Sequence, residues 1–180
     1  MKQRFTINSL LCNGFTLVEI LVVLGIIAAL LALALPLFDS NIIAKRVDAA
    51  STLLRHHLNL ARIESIRTGL PVLVCPVSSV LECGPEASWG QGWFGFTDQD
   101  RDRQYDPEET IIFVAPSSPG VDIQWRTPNW IRFKPQGAAW PNGHFRFCSQ
   151  SSRYVRTVVV YLTGRTRSSM STQDREGVWC

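Results

Sequence analysis

Gly164-Arg165-Thr166-Arg167 closes the longest β-prone run of this 180-residue chain. In an extended segment, residues two apart face the same way. Arg165 and Arg167 are therefore predicted to present two guanidinium groups side by side. Each can clasp a phosphate through paired N–H donors, and Gly164 permits the turn that presents them. Arg153 and Arg156 lie in the same run and widen the patch. The surrounding sequence has the same sign. Residues 124–173 carry eight bases and no acid, whereas residues 82–122 carry nine acids and only Arg101 and Arg103 as bases. Such segregation points to a polyanionic partner for the C-terminal part, unless the two segments neutralise each other within one folded domain.

A second cluster is acidic. Asp98, Asp100, Asp102, Asp106 and Glu109 fall at positions 1, 3, 5, 9 and 12 of an EF-hand-like calcium loop. The sharp turn of such a loop needs glycine at position 6, where this chain has Arg103, and strands rather than helices flank the segment. It reads as an acidic hairpin loop without a metal, with calcium binding as the alternative. His56 and His57 are adjacent on a helix and so face different ways, and His144 stands alone. Trp125, Trp130 and Trp140 lie among the bases. Base stacking is one use for them; packing on a sheet is the expected one. No nucleophile elbow, zinc-protease helix, phosphate loop or dinucleotide fingerprint occurs. Neither an enzymatic activity nor a cofactor is expected.

Two kinds of element must position these groups. From Ile20 to Phe38 there is no charged residue, and a helix from Phe15 to Leu35 spans roughly 30 Å, enough to cross a bilayer. One carboxylate, Glu19, sits in its first turns, where an ionisable group is costly and calls for a partner. Residues 39–68 continue as an amphipathic helix: Val47, Ala50, Leu54, Leu58 and Ala61 recur at steps of three and four. Gly69 and Pro71 end it. Beyond lies strand grammar at 71–77, 93–97, 110–115, 121–126, 130–134, 144–148 and 154–163. Residues 168–177 are polar and expected to be mobile. The predicted fold is α+β, a long N-terminal helix whose second half packs on a small antiparallel head, in two sheets. The predicted divisions are a leader 1–14, a transmembrane half 15–38, an amphipathic half 39–70 and a β-rich head 71–180.

The hexapeptide Gly14-Phe15-Thr16-Leu17-Val18-Glu19 resembles the cleavage site of type IV prepilins and type II secretion pseudopilins. The resemblance implies that a prepilin peptidase cuts after Gly14 and that Phe15 is then N-methylated. It makes Glu19 the acidic residue of the mature helix, and Pro36 falls where these subunits often kink. The leader carries Lys2 and Arg4, which favour a cytoplasmic N-terminus and an exported head. Cys12 leaves with the leader. The remaining Cys75, Cys83, Cys148 and Cys180 form an even set in an exported domain, which implies two disulfides. Three pairings are open, of which Cys75–Cys83 and Cys148–Cys180 are favoured. No CxxC pair supports zinc instead.

In the head, Cys75-Pro76, Trp89-Gly90-Gln91-Gly92-Trp93, an acidic turn, a late cysteine and Val158-Val159-Val160 before Gly164-Arg165-Thr166-Arg167 resemble the GspH/FimT group of minor pilins and pseudopilins. In FimT-like members the last motif is linked to DNA binding in natural transformation. The resemblance implies a single-pass inner-membrane subunit with a periplasmic head, later part of a surface pilus. Its implied partners are double-stranded DNA and other minor and major pilins. The alternative is a structural initiator subunit, a minor pilin or pseudopilin H, with no nucleic-acid role. Processing gives the first expected outcome: intact-mass analysis of membrane extracts finds a chain beginning at methylated Phe15, and Gly14→Val leaves the precursor uncut. Wild-type protein that retains Met1 would overturn it.

Overall fold

A computed structural model of the chain describes residues 15–78, 83–84, 86–126, 128–149 and 152–171, without the side chains at 33–41, 152, 153, 170 and 171. The leader, Gly14 and Cys180 lie outside the described residues. A single α-helix, α1, runs Leu17–Thr68. Thr16 caps it: its hydroxyl accepts the Glu19 N–H at 3.3 Å, with Glu19 three residues on in the first turn, where the helix dipole favours an acid. At the other end Gly69 adopts φ 69° and returns its N–H to the Ser65 carbonyl at 3.1 Å, a glycine C-cap.

The chain divides into two compact units, one ending at Asp39 and the other beginning at Ser40. In the first, large apolar side chains stand exposed around the whole helix, from 46 % at Ile27 to 79 % at Phe15. Among the described residues no helix is long and apolar enough to cross a membrane; the described side chains of this apolar run stop at Ala32, and the sequence stays apolar to Phe38.

The second unit is the head. It contains β1 (Val72–Pro76), β2 (Trp93–Thr97), β3 (Ile111–Val114), β4 (Asp122–Gln124), β5 (Ile131–Phe133), β6 (Ala139–Trp140), β7 (Gly143–Ser149), β8 (Ser152–Val160) and β9 (Thr166–Ser171). A five-stranded sheet has the order β3-β2-β1-β5-β6, and a four-stranded sheet the order β4-β7-β8-β9. Every pairing is antiparallel. Val47, Ala50, Leu54, Leu58 and Ala61 of α1 bury against both sheets, with Val74, Trp93, Phe133, Phe145 and Val158 in the same core. Removing one such side chain, as in Leu54→Ala, costs about 2–5 kcal/mol.

Two strands escape the sequence reading. β6 is two residues long. β9 takes in Ser168–Ser171, a segment expected to be mobile; its serines lack apolar alternation, and only register with β8, Val158 against Ser168 and Thr157 against Ser169, makes it a strand.

His57 sits at the joint between helix and sheet. Its Nδ1 accepts the indole N–H of fully buried Trp93 at 3.0 Å, and its ring stacks on Phe113 at 4.3 Å. Burial, and then the charge of His56, lowers its pKa below the ordinary value. The fold thus favours neutral His57. As pH falls below about 6.5 the unfolded chain takes the proton first, and stability drops until the folded pKa is reached. His57→Phe keeps the stacking but strips Trp93 of its acceptor. It should cost about 1–3 kcal/mol at neutral pH and flatten the loss of stability as pH falls below about 6.5. Denaturant melts across that range check this; parallel pH profiles for the two proteins would refute it.

Candidate nucleic-acid interface

β8 ends at Val160, and Tyr161 to Gly164 turn the chain into β9. The turn is closed by Gly164 N–H to Tyr161 O at 2.8 Å and Tyr161 N–H to Arg165 O at 3.0 Å. Gly164 is buried with φ 74°. A Cβ there would lie 1.9 Å from the carbonyl oxygen of Gly137, so the glycine serves close packing as well as the turn. The Arg62 Nε–H donates to that same carbonyl at 3.1 Å.

The three residues that follow divide between two sides. The Thr166 hydroxyl is held to Asn59 Oδ1 on α1 at 2.8 Å. Arg165 and Arg167, on either side of it, are both exposed and line a groove of about 590 Å³ with Asn142, Tyr161 and Leu162. Among the described residues no carboxylate lines it.

Cross-strand register extends the patch. His144, Val159 and Arg167 form one row, and Arg146, Thr157 and Ser169 form the row two residues along, so all six share one face. Arg126, His144 and Arg146 line a neighbouring groove of about 270 Å³ with Trp125. Arg126 donates to the Asn142 carbonyl at 3.2 Å, so one residue, Asn142, belongs to the wall of the first groove and is held by a cation of the second. In the sequence Arg126 and Arg146 count only among the eight bases of residues 124–173 and His144 stands alone; strand parity, readable once β7 is registered against β8, unites His144 and Arg146.

Arg156 is placed elsewhere. Strand parity turns it to the opposite face, towards α1, where its Nε binds Asp48 Oδ1 at 2.5 Å. Asp48 also accepts the Tyr154 hydroxyl at 2.8 Å, and the Arg156 guanidinium lies 5.5 Å from the Tyr154 ring centre. Burial raises the Asp48 pKa, but the bonds from Arg156 and Tyr154, with the charges of Arg156 and Lys45, outweigh it and hold the carboxyl below its ordinary range. Arg156 is thus a helix-to-sheet fastening rather than a member of the exposed patch. Arg153 lies on the β8 backbone, with its side chain outside the described residues.

The acidic loop is closed by its own chain. Carboxylate oxygens of Asp98, Asp100 and Asp102 lie within 4.8 Å of one another. Fully buried Asp98 accepts from Arg132 at 2.6 Å and from the Arg103 N–H at 3.2 Å. Asp100 accepts the Asp102 N–H at 3.2 Å and Asp102 that of Gln104 at 2.7 Å. Both oxygens of Glu109 are bound, to the N–H groups of Gln99 at 2.8 Å and Asp106 at 3.3 Å. Burial raises the Glu109 pKa against those two bonds, and the charges of Asp98 and Asp100 raise it further. A calcium ion would have to displace a guanidinium from Asp98. The donor set fits an arginine-anchored loop better than a cation site. That loop covers the outer face of the five-stranded sheet, where Tyr105 meets Phe96 and Phe94 edge-on at 5.7 and 6.4 Å.

Cys75 is bonded to Cys83, with Cα atoms 5.5 Å apart. Cys148 is disulfide-bonded as well.

Known proteins share this arrangement of a long helix packed on two small antiparallel sheets. Residues 50–164 match the family of the type II transport protein GspH, and residues 11–35 match the prokaryotic N-terminal methylation motif. The pilin-like protein PilA1 of Thermus thermophilus is 38 % identical over 171 residues, 90 % of this chain and 94 % of that protein. The minor pilin FimU of Pseudomonas aeruginosa shares the fold with a TM-score of 0.56 at 12 % identity, over 74 % of this chain and 96 % of FimU. The minor pseudopilin EpsH of the Vibrio cholerae type 2 secretion system does so at 0.51 and 9 %, over 69 % and 97 %. The chain belongs to the GspH family of minor pilins and pseudopilins.

Gly164→Ala tests the site's foundation. An L-residue at that φ costs about 1–2 kcal/mol before the clash with Gly137 is counted, so the variant should lose at least that much stability in a urea melt. A melt that overlays the wild type would show that the turn does not depend on this contact.

Proposed function

We propose that this chain is a minor type IV pilin that binds DNA without sequence preference during natural transformation and takes part in pilus assembly. The observation that carries the DNA reading is the division at Gly164-Arg165-Thr166-Arg167: the threonine is tied to the helix while both arginines face solvent in a groove that no carboxylate of the described residues lines. Phosphate contacts of this kind position a duplex but carry no base information. The assembly reading rests on the family and on the apolar surface of the first helical unit from Ile20 to Ala32, which needs lipid or other helices to cover it. On this reading prepilin peptidase cuts after Gly14, Phe15 is methylated, and the residues up to Phe38 anchor the subunit in the inner membrane before it joins other pilins. Glu19 then meets the new N-terminal amine, its own or a neighbour's, which offsets part of the desolvation cost of both charges.

A titration with one labelled duplex at several salt concentrations tests the DNA role. A single head offers few phosphate contacts, so Kd should be of order 10⁻⁴–10⁻⁶ M and should weaken with salt. Arg165→Gln with Arg167→Gln should lower affinity equally for unrelated sequences and flatten the salt slope by about two units. Identical curves for both proteins would remove the motif from DNA binding, and no binding by either would leave a structural initiator subunit.

A further inference from the structure

Of the three tryptophans among the bases, the fold settles two into packing. Trp125 stacks on buried Phe145 at 4.2 Å and donates its indole N–H to the Pro128 carbonyl at 3.1 Å. Trp130 has the guanidinium groups of Arg132 and Arg103 at 5.5 and 5.9 Å from its ring centre. Trp140 is different. It lies on β6, the edge strand of its sheet, tilted against Trp130 at 5.3 Å between ring centres, and half of it remains in solvent.

Its surroundings are cationic on both sides. Trp140 stands opposite Arg132 across β5 and β6. Arg132, Arg101 and Lys134 line a groove of about 570 Å³ with no carboxylate among its described lining residues, although Arg132 is also paired with Asp98. In the other direction along the chain, Asn142 lines the groove of Arg165, Arg167 and half-exposed Tyr161. β6 is also tied to that turn, through the Ala139 N–H and the Leu162 carbonyl at 3.0 Å. An open indole between two basic grooves is the arrangement by which proteins hold single strands: cations follow the backbone while an aromatic face takes a base. A duplex keeps its bases stacked on one another and offers that face nothing.

We infer that Trp140 is a base-stacking platform, so that the head grips single-stranded nucleic acid by a contact that a duplex cannot make. This rests on the DNA reading above and adds the form of nucleic acid that the surface takes. The full-length protein in detergent should be titrated with a labelled short oligonucleotide and with the duplex of the same sequence. Trp140→Leu keeps apolar contact with Trp130 but has no π-face; Trp140→Phe keeps a smaller one.

Loss of a stacked base should weaken single-strand binding about 5- to 150-fold in Trp140→Leu. Duplex binding should stay within about twofold of the wild type, and Trp140→Phe should restore part of the single-strand affinity. Thermal melts matching the wild type establish that both variants fold. Trp140→Leu equal to wild type on the single strand, or weakened alike on both forms, overturns the stacking role. If Arg165→Gln with Arg167→Gln still weakens both forms in that case, the DNA reading survives. Failure of the wild type to bind either form removes the DNA reading and this inference with it.

Discussion

Three parts of the head meet at a point where only backbone fits. Gly164 in the turn before β9 and Gly137 in the turn before β6 both adopt left-handed φ values, 74° and 77°. A Cβ on the first would strike the Gly137 carbonyl, and one on the second would lie 2.6 Å from Ile66 Cδ1 on α1. The carbonyl so enclosed is met by Arg62 from the same helix. One contact therefore joins the helix, the edge of the five-stranded sheet and the last hairpin of the four-stranded sheet. The chain leaves that contact directly into Arg165. Backbone packing behind the two exposed arginines, rather than any bond that they make, sets where they emerge.

The charge segregation of the sequence is only partly neutralised by folding. Asp98 binds Arg132, which joins the acidic segment to the basic one. Arg156 finds its carboxylate on the helix, not in the acidic segment. Among the described residues no ion pair involves Arg165 or Arg167. Exposed ion pairs are worth little, so the acids of the loop and the bases of the sheet face are better understood through what they attract. Arg132 has a cost of its own: its Nε is buried without a hydrogen-bond partner. The loop is held over Phe94 and Phe96 by an arginine that is not fully satisfied, by the carboxylate bonds within the loop and by the aromatic contacts of Tyr105.

Much of this was legible in the sequence because its signals are periodic. The helix face from Val47 to Ala61 and seven of the nine strands follow from apolar spacing alone, and two sheets follow from their number. What could not be read depended on register. Arg156 and Arg167 look alike as surface cations in sequence; strand parity sends one to Asp48 and the other to solvent. β9 has no apolar alternation and exists because β8 offers it a ladder. Trp140 could not be told from Trp125 by composition, since the difference between an open ring and a packed one is made by Phe145. The EF-hand spacing does bring Asp98, Asp100 and Asp102 together, but it could not show that Arg132, thirty-four residues from Asp98, binds the first carboxylate.

The long helix carries two grammars because its two stretches face different solvents. Between Val47 and Ala61 apolar residues keep to one face, and the sheets bury them completely or nearly so. Between Leu17 and Leu31 they surround the axis and stand exposed. At roughly 25 cal/mol per Å² of apolar surface, eleven large side chains left in water would carry a cost comparable with the whole stability of a domain. Such a surface persists in evolution only where something else covers it, and a helix apolar on every side suits a bilayer or a bundle of like helices. The Thr16 cap satisfies one backbone N–H at the start of this segment and sets Glu19 in the turn where a carboxylate is least unfavourable. The head, with its own core from Val47 onward, does not depend on that covering.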